Sequence, residues 1–454
     1  MAGTAVGHTL RTKLLGLNAA QQRFDVLQNR ADQLLADVGR MEDTLAGLAG
    51  SLEALRATVQ HVEGRLIPIG HGVARTASLQ RSITRIEARL QSLEASGRAH
   101  AAAHAPAPEP PAFRLAFLVH AEELVNHFAS VWDHLPAASF DVILHNAAVG
   151  CRPDTFRRWA CGVVTSDEVC ESGHRYDYLV SNHPVALGDK PLLRQLARHQ
   201  VRFMYAAGKS GWNLADWNGL YDVILCFGPH HAARFAATTR AAVVQMGYPR
   251  FDRYFNAPPD REALCQRYGC DPARSTVVWL PTWKTLSSVG HFDAEVSALT
   301  QAYNVVVKLH PLMVEQEPER VEALRRHSFT HLVTDASDNL PLYQIADYML
   351  FDYGGPPLAG VYADKRMLLL NVPGAAADGL LTADSPDLAI REQLASVEPG
   401  ADQIFAHLAD ARLWEDQRAQ RHALRGKYFA PYYGFSSAVA ASALLRLPRL
   451  AARP

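Results

Sequence analysis

The 454-residue chain carries 45 Lys and Arg against 46 Asp and Glu, and 48% of its residues are hydrophobic. That length predicts two or three domains with real cores, and the charge balance gives no electrostatic case for a nucleic-acid partner or a strongly charged membrane surface. Any anion site must be local. The cysteines (Cys151, Cys161, Cys170, Cys226, Cys265 and Cys270) form no C-x-x-C pair and no metal-ligand spacing, so they read as reduced thiols, and neither a metal nor a cofactor is expected. No apolar run approaches the roughly 18–20 residues of a membrane span. The opening MAGTAVGHTLRTKLLGLNAA lacks the uninterrupted apolar stretch of a secretory signal. A cytoplasmic location is expected, with peripheral contact at the inner face of the membrane left open by the basic, apolar tail ALLRLPRLAARP.

From Phe24 through Leu27, Ala31, Leu34, Val38 and Met41 to Val62 and Leu66, apolar residues recur at alternating spacings of three and four, an unbroken a/d seam. The intervening positions are Asp, Glu, Gln, Arg and Ala, so the seam is narrow and wants a partner helix. Ile67 to Gly72 breaks it, and a shorter run resumes from Leu79 to Leu93. Residues 1–96 are therefore a coiled coil that makes a homo-oligomer, or a hairpin folded on itself; the unequal runs favour the oligomer. Residues 97–112 are an Ala/Pro linker.

From Phe113 buried strands alternate with helical stretches, as a doubly wound α/β domain requires. The first such domain is expected over 113–250, the second over 251–440, and a tail over 441–454. Polar residues recur at strand carboxyl ends: His120 after LAFLV, His145 after FDVIL, His183 after YDYLVS, Lys209 after VRFMY and His230 after YDVILC. In open parallel sheets ligands sit at that edge. Gly247 to Asp252, GYPRFD, reads as a domain joint in which Arg250 pairs with Asp252 or reaches a phosphate. In the second domain VVWLP is followed by Thr282 and Lys284. The period of two places Lys308 and His310 on one face of a strand end, where a cation and a histidine suit a diphosphate leaving group. Leu340 to Asn371 reads as helix, strand, Gly-Gly-Pro-Pro turn, helix and strand, a layout in which unpaired N–H groups can hold a phosphate. These three strand ends are expected to form one nucleotide-sugar or nucleotide-alditol site.

Together GYPRFD, LPTWK (Leu280 to Lys284), KLHP (Lys308 to Pro311), ADYMLFDYGG (Ala346 to Gly355) and the closing YYGFSS (Tyr432 to Ser437) resemble the CDP-glycerol glycerophosphotransferase family, which builds teichoic-acid-type polymers, and more loosely the GT-B glycosyltransferases. The resemblance implies two Rossmann-like domains of GT-B type. It implies transfer of a glycerol-phosphate, related alditol-phosphate or glycosyl group from a nucleotide-diphosphate donor to a cell-surface polysaccharide or lipid-linked acceptor. By the same resemblance His310 and Lys308 contact the pyrophosphate, Thr282 and its neighbours line the nucleotide pocket, and the turn after Asp352, with Gly354 and Gly355, binds phosphate. The family's turn carries two serines where this chain has glycines. Its first-domain Trp-His-Gly segment corresponds here to Ala206-Ala207-Gly208, with alanine in place of the candidate base, so His120, His183 and His230 become candidates for that role. Two alternatives accompany this reading: a coiled-coil scaffold with a degenerate transferase domain, and a nucleotide-sugar epimerase, for which no carboxylate pair is evident.

Overall fold

Strand β1, Leu115–Val119, is a run of five apolar residues with none more than 2% exposed. Such a run buries both faces of its strand, the signature of a parallel sheet covered by helices on each side. The computed structural model describes residues 113–145, 151, 153–187 and 190–451, all within one unit, Ala95–Pro454. The expected coiled coil and linker lie outside the described residues.

Around β1 assemble β2 (Phe140–Leu144), β3 (Gly162–Thr165) and β4 (Tyr176–Ser181). A hairpin of β5 (Ala186–Leu187) and β6 (Lys190–Pro191) intervenes before β7 (Ala197–Phe203), β8 (Val223–Cys226) and β9 (Ala242–Gln245). The seven-stranded sheet runs β3-β2-β1-β4-β7-β8-β9, all parallel. A second parallel sheet follows: β10 (Thr276–Leu280), β11 (Asn304–Lys308), β12 (His331–Val333), β13 (Tyr348–Phe351), β14 (Met367–Leu370) and β15 (Ser396–Val397), ordered β12-β11-β10-β13-β14-β15. The strand order reverses between β1 and β4 in the first sheet and between β10 and β13 in the second. These are the switch points at which doubly wound sheets open a crevice.

Strand periodicity divides the second sheet's core. Val277 and Trp279 pack with Val305, Val307 and Leu350 on one face. Val278 and Leu280 pack with Val306, Met349 and Phe351 on the other, in a cluster continuous with the core of the first sheet. At about 1.5–3 kcal/mol for each fully buried large apolar side chain, this shared cluster is what binds the two layers together.

The C-terminal segment crosses the joint. Helix Ala411–Tyr428 packs against both Pro229–Thr238 of the first domain and Gly355–Tyr362 of the second, and Ser436–Leu444 packs against Val125–Trp132. The backbones meet at Gly228, where an added Cβ would lie 2.5 Å from Phe429, and the Ala430 N–H donates to the Phe227 carbonyl at 2.8 Å. The expected tail from 441 is instead helical through Ala451, with Leu444 and Leu447 fully buried.

GYPRFD and YYGFSS lock this crossing. Asp252 takes the N–H groups of Ser436 and Ser437 at 3.0 and 2.6 Å, an anion on a helix N-terminus. Burial nevertheless pushes its carboxyl up to about 6. Gly247 has φ +72° and an added Cβ would strike Ser436 Oγ, so only glycine fits. The expected Arg250–Asp252 pair is absent because Asp252 is consumed here. Arg250 reaches instead to Asp338 of the second domain, with Nε and Nη2 at 3.1 and 2.6 Å from Oδ1.

Candidate active site

A cavity of about 570 Å³ lies where the two switch points face each other. From the first domain it is lined by His120, His127, His183, Tyr205, Lys209 and Trp212. From the second come Thr282, Trp283, Lys308, His310, Gly354 and Gly355, with Arg250 at the joint.

Lys209 sits in the left-handed region, φ 54°, ψ 62°, a conformation that costs a non-glycine residue free energy and persists only when its surroundings hold it. Two contacts hold it. The Lys209 N–H donates to Asp387 Oδ2 at 2.6 Å, and its Nζ reaches across the cleft to Thr282 Oγ1 at 3.1 Å. Asp387 is fully buried and also accepts the Gly354 N–H at 2.5 Å, so one carboxylate ties the two domains together. The packing explains Gly208: an added Cβ would lie 2.6 Å from the Gly354 carbonyl and 2.7 Å from Asp387. Arg202, buried under the loop, donates Nη1 to the Asn213 carbonyl at 2.7 Å and lies 4.4 Å over the Trp217 ring. Burial lowers the Lys209 ammonium below its ordinary value, opposed by Asp352, Asp387 and Asp378. A buried cation whose nearest acceptor is a hydroxyl is poised for an anion.

His310 ends the β11 segment as N-cap of Pro311–Gln316. Its Nδ1 accepts the Leu312 N–H at 3.1 Å, so in the neutral ring Nε2 carries the proton. Burial, then Lys209 and Lys308, lower its pKa to about 4, keeping that neutral donor form at physiological pH. Trp283 stacks on the ring at 5.7 Å and 19°.

Lys308 lines the cavity too, but its Nζ donates to the Asp335 carbonyl at 2.6 Å and lies 3.5 Å from that residue's carboxylate, anchoring the 335–337 loop. Lys284 is exposed, outside the lining, with Nζ 4.1 Å over the Trp283 ring. Asp352 is fully buried below the cavity floor. It accepts the Thr282 N–H at 2.9 Å and the Ser288 N–H at 2.8 Å, positioning Thr282. The expected phosphate turn is also corrected at its first glycine: Gly354, at φ +106°, has its N–H already donated to Asp387, while Gly355 opens the following helix on the cavity wall.

On the first-domain wall His120 and His183 meet edge to face at 4.4 Å. Burial, then His183 and His145, lower His120 to about 4. His230 is not brought in: its ring packs against His231 and Tyr428, away from the cavity. His145 is bonded to Ser166 Oγ at 2.9 Å, also outside it. The sequence offered no signal for Asp387 or Asp338, which sit in unremarkable loops and gain their roles through contacts 178 and 88 residues away. Among the described residues no group of three or more His, Cys, Asp or Glu could hold a metal ion, and no helix is long and apolar enough to cross a membrane.

Two parallel α/β domains whose switch points enclose a basic, histidine-bearing cavity have the GT-B-like arrangement. Residues 230–355 match the family model described as CDP-Glycerol:Poly(glycerophosphate) glycerophosphotransferase. No curated protein matches it in sequence. Among solved structures, the wall teichoic acid polymerase TagF superposes with a TM-score of 0.56 at 12% identity, covering 84% of this chain and 98% of that one. A TagF variant soaked with CDPG gives 0.55 at 12% identity, covering 84% and 98%. A putative UDP-N-acetylglucosamine 2-epimerase from Listeria monocytogenes gives 0.51 at 11%, covering 75% and 98%. At such identities these likenesses speak to the fold.

Proposed function

We propose that the protein transfers an alditol-phosphate group, glycerol-phosphate or a relative, from a CDP-glycerol-like nucleotide-diphosphate donor to a hydroxyl of a cell-surface polysaccharide or lipid-linked acceptor. The observation that carries this reading is the convergence of Lys209 Nζ with Thr282 and the Nε2-protonated His310 on one cavity, the latter two inside residues 230–355, the segment that matches the glycerophosphotransferase model. The donor's phosphates lie between Lys209 and His310, which neutralise the charge that grows as the bridging P–O bond breaks. The first domain holds the acceptor. Synthesis takes place in the cytoplasm at the inner face of the membrane, and residues 1–96 assemble the chain into a homo-oligomer.

Isothermal titration with CDP-glycerol, other CDP and UDP donors and free nucleotides tests the reading, followed by mass spectrometry of products formed with a cell-envelope extract. Donor-dependent mass additions of one alditol-phosphate are expected. Absence of binding to every nucleotide overturns it.

A further inference from the structure

With Ala207 where the family's first-domain histidine stands, the acceptor's proton has no assigned destination. The four histidines that line the cavity differ in what their ring nitrogens already do. His310 is Nε2-protonated and donates. His127 has its Nε2 3.3 Å from Arg250 Nη1, so a guanidinium N–H occupies that lone pair. His120 has a buried Nδ1 with no partner, so nothing fixes its tautomer. His183 is oriented: its Nδ1 lies 3.1 Å from the Pro184 carbonyl. A carbonyl oxygen can only accept, so Nδ1 carries the proton and the neutral ring presents its lone pair at Nε2, which has no partner among the described residues.

We propose that His183 is the catalytic base that accepts the acceptor's hydroxyl proton, a deepening that rests on the transferase reading above. The first and second domains then contribute histidines of opposite tautomer, an acceptor of protons at His183 and a donor at His310. The location is also consistent: His183 follows β4 at the first sheet's switch point, and Ala207, the position the resemblance pairs with the family's histidine, follows the neighbouring strand β7. Trp212, 38% exposed, stands edge-on to His183 at 5.9 Å, and Leu380 from the second domain is equally exposed on the same cavity. This apolar mouth would admit the C–H face of a polyol or sugar beside the base.

In the step, the acceptor O–H bond breaks and its proton passes to His183 Nε2 while the acceptor oxygen bonds to the outer phosphorus of the donor. The bond from that phosphorus to the bridging oxygen breaks, and its electron pair leaves on the nucleoside monophosphate, which accepts hydrogen bonds from His310 Nε2–H and Lys209. The imidazolium of His183 then returns its proton to water.

The test compares wild type, His183→Ala, His183→Gln and His120→Ala with the donor that supports turnover. His183→Ala and His183→Gln are expected to lower kcat by about 10²–10⁴-fold, with donor Kd within about twofold by titration. Free imidazole should restore part of the His183→Ala rate, which the loss of a packing residue would not allow. His120→Ala should cost less than either. If wild type turns over and His183→Ala keeps kcat within about threefold, or imidazole restores nothing, the base assignment is overturned and the transferase reading stands. A wild type that turns over no nucleotide donor overturns both.

Discussion

The two walls of the cavity are built on different principles. In the second-domain wall, the polar groups are fixed through backbone N–H groups: His310 is oriented by the N–H two residues on, and Thr282 by its own N–H, donated to Asp352 at the end of the neighbouring strand β13. In the first-domain wall, His120, His183 and Tyr205 come from three separate strand ends and meet only because β1, β4 and β7 are neighbours in the sheet. A phosphate-binding surface can be written as a short motif, since backbone caps and one or two side chains suffice. For the proposed base on the other wall, the fixing group is a carbonyl, that of Pro184 against the His183 ring.

The sharpest way to break this contrast is at His310. His310→Ala removes the leaving-group donor and is expected to lower kcat/KM by at least about 10²-fold, measured by steady-state kinetics on the productive donor. Near-normal turnover would reduce His310 to a helix cap and leave the second-domain wall without its chemistry.

Lys209→Met comes next. Loss of a charge-assisted contact worth about 1.5–3 kcal/mol should raise donor Kd by about 10- to 100-fold. The same substitution removes a buried ammonium that burial disfavours, so the free protein should melt at a higher temperature while losing its donor-induced shift. That opposed pair of changes, read by titration and thermal unfolding, separates an anion site from a structural lysine; unchanged donor affinity would count against the site.

Much of this was legible before the structure and some was not, for reasons that lie in sequence separation. Strands such as Val277–Leu280 and Tyr348–Phe351 show themselves as apolar runs, and polar residues at their ends point to a cleft. Short strands such as Gly162–Thr165 and His331–Val333 carry too few apolar residues to be read. Contacts that close the site are longer in range. Arg250 has an acid two residues away and ignores it for Asp338, because Asp252 is already bound to Ser436 and Ser437 from the far end of the chain. Gly354 read as a free phosphate donor, since nothing local reveals that Asp387, more than thirty residues on, takes its N–H.

Asp387 therefore offers a smaller, more diagnostic perturbation of the link between the walls. Asp387→Asn preserves volume but leaves one acceptor oxygen where two N–H groups, of Lys209 and Gly354, now point. An unsatisfied buried donor costs about 1–3 kcal/mol, which for a domain of this size should lower Tm by several degrees. Donor affinity should fall less than in Lys209→Met, because the ammonium remains. A variant with unaltered Tm would show that the Asp387 link adds nothing to the other contacts between the two domains.

The smallest effect expected near neutrality is that of pH on the donor wall, and its sign changes with the observable. His310 in the folded protein titrates at about 4, below the ordinary histidine value of 6.5, because burial and the cations Lys209 and Lys308 disfavour its charged form. The stability tied to its neutral form is fully present above pH 6.5 and is lost as pH falls from there towards 4, since the unfolded chain binds the proton first. A bound diphosphate opposes this by favouring the imidazolium, so linkage requires donor affinity to rise as pH falls through the same window. Between pH 8 and 6.5 neither Tm nor donor Kd should carry a His310 titration. Below pH 6 the free protein should lose Tm while the donor-induced rise in Tm grows, and His310→Gln should flatten the second trend. A donor-induced shift that shrinks as pH falls would place the diphosphate, and the leaving group with it, away from His310.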